Sequence, residues 1–135
     1  MVCGPVGDTG PRKIEKMEIF LKRNGFPITG QYGEGRKNYS EMGDFRARKK
    51  LSRRIVKDDL KFVRKADVLV VLPEPSFGAA MEMFVGRKLD KTIILYSEKP
   101  MPSPWPIYFS NFVVTSRKSL LDILHKIDKK KSIKN

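Results

Sequence analysis

The sequence predicts an α/β fold, a three-layer sandwich around a parallel five-stranded sheet, and three observations carry that prediction. Short runs of β-branched residues and leucine alternate with amphipathic charged stretches, the pattern of repeated strand–helix–strand units. The stretch 66–95, ADVLVVLPEPSFGAAMEMFVGRKLDKTIIL, contains one whole unit of strand, turn, helix and strand. Glycine- and proline-rich segments follow the strands, at the sheet end where ligands bind in such folds.

Composition sets the outer limits. With 135 residues, 40% hydrophobic and 32% charged, the chain reads as one globular domain over 1–128 and a basic tail over 129–135. No apolar run approaches the roughly 20 residues of a membrane span. The opening MVCGPVGDTG has neither the basic nor the apolar region of a secretory leader, and the lone Cys3 has no internal disulfide partner. A cytoplasmic protein without a membrane partner is expected. Lys and Arg total 28 against 15 acids, a formal charge of +13. That excess suits a nucleotide phosphate, a nucleic acid or an acidic surface, or serves only solubility through lysine-rich helix faces. No Cys, His and Asp cluster has metal-ligand spacing, so neither metal nor cofactor is expected.

The first strand is predicted at 1–4 (MVCG), running into a loop over 4–10 that contains Gly4, Gly7 and Gly10. Such a loop before a helix can cradle phosphate on backbone amides, or be only a turn. Pro11 suits the first turn of a helix over 11–24, whose apolar stripe is Ile14, Met17, Ile19, Phe20 and Leu21, and Gly25 ends it. A second strand is predicted at 26–29, then a polar, glycine-rich stretch over 31–44 suited to a binding loop or lid.

A basic helix is expected over 45–65, with Leu51, Ile55, Val56, Leu60 and Val63 inward. Its first half crowds Arg46, Arg48, Lys49, Lys50, Arg53 and Arg54, which is a solvated face, an anion site or a nucleic-acid surface. Asp59 falls near its inward face. Strands follow at 67–73 and 91–96, joined by a helix that Ser76 caps. A proline-punctuated loop spans 97–106, a last strand lies near 112–115, and a closing helix covers 119–129 with Leu120, Leu121, Ile123, Leu124 and Ile127 inward. His125, the only histidine, sits on that helix's polar side.

Glu82 is the informative residue of the central unit. At about 100° per residue, Gly78, Val85 and Leu89 lie within roughly 60° of it, and Arg87 lies nearly opposite. The carboxylate therefore points along the face expected to pack on the sheet. Unpaired burial of a carboxylate costs several kcal/mol, so its retention there points to chemistry. Met83 and Phe84 are placed on the outer side, a face that a second subunit or a neighbouring helix must cover.

Asp59-Leu60, Ala66-Asp67-Val68, Pro75-Ser76-Phe77-Gly78, Glu82 and Lys91 before an apolar strand together resemble the nucleoside 2-deoxyribosyltransferase superfamily. The resemblance is closest to its 2′-deoxynucleoside 5′-phosphate N-hydrolase branch and covers about 55–96. It implies a flavodoxin-like (Rossmann-like) sandwich, a homodimer, and a nucleoside or nucleoside monophosphate as substrate. It further implies cleavage of the N-glycosidic bond through a covalent glycosyl intermediate on Glu82, resolved by water or by a second base. Asp59 matches the family's acid, Ser76 and Gly78 its phosphate-contacting pair, and Gly4 with Gly7 its first substrate loop. Ser103 and Asn111 are the candidates for the polar residue that completes the partner's site. Family members carry a first-strand tyrosine where this chain has Met1, and the branch's first-loop arginine is missing from Pro5-Val6-Gly7-Asp8. Two other functions stay open: a nucleotide-binding module without catalysis, and nucleic-acid binding through 46–54.

Overall fold

The computed structural model describes residues 1–7, 9–30 and 43–134. The predicted loop 31–44 lies almost entirely outside them. Four strands form one parallel sheet in the order β1 (Val2–Cys3), β2 (Val68–Val71), β3 (Thr92–Tyr96) and β4 (Phe112–Val114). Among the described residues five helices accompany them: α1 (Gly10–Arg23), α2 (Lys49–Lys65), α3 (Phe77–Lys88), the short α4 (Pro104–Phe109) and α5 (Arg117–Lys134). Among the described residues, no helix is long and apolar enough to cross a membrane.

Strand periodicity divides the core between the two faces of the sheet. Val2, Val70, Leu72, Ile94, Tyr96 and Val114 meet α1 and α5 through Ile14, Met17, Leu21, Leu120 and Leu124. The alternate residues Cys3, Leu69, Val71, Ile93 and Leu95 meet Val63 of α2 and Ala79 and Met83 of α3, with Phe109 of α4 alongside. Helices thus cover both faces, as expected for a three-layer sandwich.

The expected second strand is not one: residues 26–29 are irregular, and the described sheet has four strands, not five. The end of α1 explains why. Phe26 N–H donates to the Leu21 carbonyl at 3.0 Å and Gly25 N–H to that of Lys22 at 3.1 Å, a Schellman closure made possible by φ +87° at Gly25. The closure folds Phe26 back toward the helix. Pro27, which has no N–H to give a ladder, follows at once. Phe26 and Ile28 pack instead against the core on the α1 and α5 face.

Other boundaries and faces differ from the sequence reading. The basic helix begins at Lys49, because residues 45–48 form a turn in which Arg48 N–H bonds the Phe45 carbonyl. Val56 of α2 and Ile19 of α1 face outward. Proline-rich residues 104–109 form α4, capped by Ser103, where a loop was expected through 106. The tail is largely helical, since α5 continues to Lys134. Its Lys131 pairs with Asp67 beside β2 and holds that carboxyl below its usual range.

Met83 corrects the reading of α3, because it is buried against the sheet and not on the outer side. The inward face of this helix is Ala79, Met83 and Gly86. A Cβ on Gly86 would lie 2.9 Å from Cδ2 of buried Leu69, so this glycine sets how closely the helix approaches β2. Glu82 falls roughly 65° from the centre of that face at 100° per residue.

Candidate active site

That offset aims Glu82 at the seam between α3, β1 and α2. The carboxylate is half-buried. Burial pushes its pKa up from the ordinary 4.5 to about 7, and the negative Asp59 adds to the rise. The neighbouring Cys3 thiol and the positive Met1 amino group act in the opposite direction. Cys3 itself is buried at the end of β1, where desolvation and the Glu82 charge push its pKa well up and keep it a thiol. A carboxylate from another helix, Asp59, thus lies within electrostatic reach of Glu82 and disfavours its ionisation.

Nearly two turns before Glu82, Ser76 caps α3 with extended backbone, and its Oγ accepts the Ala79 N–H at 3.2 Å. Its hydroxyl hydrogen remains able to donate to an anion, beside the amides and positive dipole end of the helix. At Gly78 a Cβ would meet nothing closer than Ser76 Oγ at 3.8 Å, so the helix start presents open backbone. Ahead of it, Glu74 is held by Lys13 of α1 at 2.7 Å.

The first loop packs against both helix and sheet. Gly4 is buried, and a Cβ there would stand 3.1 Å from Ile14 Cγ1 and 3.2 Å from Leu72 Cδ1. Gly7 accepts the Gly10 N–H at 2.9 Å, closing the turn that leads into α1.

Two cavities open beside the turn 73–75 that follows β2. The larger, about 670 Å³, lies between α3 and α4 and is largely apolar; the two capping residues Ser76 and Ser103 both line it, with Met83, Phe84, Trp105 and Phe109. The second, about 500 Å³, lies on the α1 side and is lined by Lys13, Lys16, Lys99 and Arg117 together with Glu74 and Glu98. In its wall the Tyr96 hydroxyl bonds the Glu98 carboxylate, and burial with that acceptor pushes the phenol up to about 12. Neither cavity is lined by Glu82 or Asp59.

The structure thus groups Glu82 with Asp59, and Ser76 with Ser103. It does not bring Asn111 to this end of the sheet. The Asn111 side-chain oxygen accepts the Ile93 N–H at 2.8 Å and its own N–H bonds the Ile93 carbonyl at 2.7 Å, so it opens β4 at the strands' N-terminal end. Sequence reasoning overlooked Cys3 as a neighbour of Glu82. Its only signal was the position directly before the glycine loop. Glu18, a buried carboxylate in α1, was also passed over, because an apolar stripe was sought there. Among the described residues, no three His, Cys, Asp or Glu side chains converge as metal ligands. No protein-family model matches the chain, and comparison with curated protein sequences finds no match.

Proposed function

We propose that this chain cleaves the N-glycosidic bond of a (deoxy)nucleoside or (deoxy)nucleoside 5′-monophosphate, as its resemblance to the nucleoside 2-deoxyribosyltransferase superfamily implies. The observation that carries the proposal is the half-buried Glu82 carboxylate, pushed up to about 7, within electrostatic reach of Asp59 and nearly two turns after the Ser76 cap. In the first step a Glu82 oxygen attacks C1′. The C1′–N bond breaks, and its electron pair leaves with the base, which Asp59 protonates or orients. In the second step water or another base attacks C1′ and releases Glu82, and the attacking group gives up its proton to Asp59 or solvent. A raised pKa makes the ionised Glu82 a stronger base and nucleophile than a solvated carboxylate. Base release should therefore climb with pH through about 7 as Glu82 loses its proton.

Incubation with a panel of nucleosides and nucleoside monophosphates, with free base separated by chromatography, tests this reading. Release by the wild type and none by Glu82→Gln supports it. Saturable nucleotide binding with no base released over long incubation replaces it by the second reading, a nucleotide-binding module. The absence of Glu82 from the lining of both cavities favours that alternative.

The active form in this proposal is a homodimer. Phe77 is 93% exposed, Tyr108 78%, Trp105 72% and Met81 64%, an apolar surface shared by α3 and α4. Phe84 of α3 meets Phe109 of α4 edge-on and ties the two helices together, and Trp105 stacks on Phe109 within α4. A second copy covering this face would bury side chains that otherwise stay in water. Sedimentation should give a dimer for the wild type and a folded monomer for Met81→Asp. An unchanged mass for that variant removes the face from the interface.

A further inference from the structure

We propose that the second cavity is a binding site for a small phosphate monoester that also carries hydroxyl groups, such as a sugar phosphate. The cavity lies on the α1 and α5 face of the sheet, the other face from Glu82, since Met17, Leu72 and Tyr96 in its wall belong to that core cluster. It therefore does not depend on the glycosidic reading. Its volume of about 500 Å³ falls in the range of small-molecule pockets. Pro73, Pro75, Pro100 and Pro102 stand in the wall, and their fixed φ angles stiffen it before a ligand arrives.

Cations reach this cavity from three separate segments: Lys13 and Lys16 from α1, Lys99 from the turn after β3, and Arg117 from the start of α5. Glu74 and Glu98 stand against them, so the wall keeps an excess of two positive charges. Among the described residues, Lys16 and Lys99 take part in no ion pair. Arg117 is steadied by the Phe20 ring, its guanidinium carbon 4.8 Å from the centroid, and a contact with the flat face does not consume the N–H edge. Cations gathered around one concavity repel one another, and a dianionic ligand turns that cost into attraction. Lys13 and Arg117 also lie in the first turns of their helices, where the macrodipole opposes positive charge and favours an anion.

The carboxylates select the kind of anion. Glu74 Oε1 is held by Lys13 at 2.7 Å, whereas Oε2 is buried without a donor. Among the described residues it is the one buried side-chain oxygen or nitrogen without a hydrogen-bond partner. Glu98 already accepts the Tyr96 hydroxyl. Carboxylates repel a long polyanion such as a nucleic-acid backbone, but they accept hydrogen bonds from hydroxyls. A sugar phosphate suits both halves of the wall. Its phosphate meets the lysines and Arg117, and a hydroxyl gives Glu74, after rotation of the carboxyl, the donor that it lacks.

Calorimetric titration of the full chain with glucose 6-phosphate, glycerol 3-phosphate and inorganic phosphate tests the assignment, with glucose and glycerol as uncharged controls. Saturable binding of at least one ester is expected, tighter than inorganic phosphate and absent for the uncharged parent. Lys16→Gln combined with Lys99→Gln should weaken that ester at least about tenfold, the scale of one charged hydrogen bond. Both lysines are solvent-exposed, so their loss does not threaten the fold. Glu74→Leu should leave inorganic phosphate bound as tightly or more so, while abolishing the preference for the ester. Glu82→Gln should change neither affinity, which keeps this site apart from the proposed nucleophile. Amide NMR shifts at Ser97, Glu98 and Lys99 on addition of the ester place it in the cavity. No binding of either ester, equal binding of ester and inorganic phosphate, or undiminished binding by the double lysine variant overturns the proposal.

Discussion

Replacing Glu82 with glutamine is expected to abolish base release and, at pH 8, to make the folded chain more stable. Loss of the nucleophile removes the covalent step, and a decrease of at least about 10³-fold in kcat is expected for a residue of that kind. The stability effect follows from proton linkage. The unfolded chain releases the Glu82 proton near 4.5 and the folded chain near 7. Between those values the native state binds more protons than the unfolded one, so stability falls as pH rises from 4.5 to 7 and stays lower above. That loss amounts to about 3 kcal/mol at 1.36 kcal/mol per pH unit, and an uncharged glutamine recovers about 1–3 kcal/mol of it. Thermal melts at pH 4.5 and pH 8 check the sign: the variant's advantage should be present at pH 8 and small at pH 4.5. A variant less stable than wild type at both pH values would show that Glu82 is paired as a structural ion, not held against its solvation.

The second large effect is expected from Gly10→Ala. A Cβ at this position would stand 2.0 Å from the Pro5 carbonyl oxygen and 2.7 Å from its carbon. Those are backbone atoms, which cannot turn aside as a side-chain end can. The turn closed by Gly10 N–H and the Gly7 carbonyl must open, and Gly4 is packed tightly against Ile14 and Leu72 just upstream. Overpacking of this kind costs about 1–3 kcal/mol. Under the proposed function the loop also faces substrate, so nucleotide affinity should fall at least about tenfold, the equivalent of 1.4 kcal/mol. Denaturant unfolding and calorimetric titration with a nucleoside monophosphate measure the two effects. Full stability and unchanged affinity would mean that the turn is not built as the Pro5–Gly10 contact requires.

The sheet and its helices were legible where one physical rule governed each segment. β2 and β3 are apolar runs bounded by proline or charge, and Ser76 caps α3 as its hydroxyl predicts. The missing strand at 26–29 shows where such rules compete: its residues are apolar enough for a strand, but the Schellman closure and Pro27 decide their path. α4 was hidden because Pro104 and Pro106 read as loop, although proline in a first turn after a serine cap is favourable. On α3, the wheel identified Glu82 but centred the inward face one side chain away. Gly86 and Met83 set the rotation through their fit to Leu69 and the sheet, which depends on tertiary packing. Cys3 lies 79 positions from Glu82 in the sequence. No local pattern could join them; only the parallel pairing of β1 with β2 does.

That pairing has a kinetic side. β1 has two residues, and the Val70 and Leu72 amides attach it to the sheet by donating to the Met1 and Cys3 carbonyls at 2.9 Å. An element attached so sparingly opens at a lower free energy than the interior of the sheet, and amide exchange at Val70 and Leu72 times that opening. Each opening carries the sulfur away from the carboxylate. The lifetime of this short strand's backbone hydrogen bonds thus limits how long Cys3 stays near Glu82.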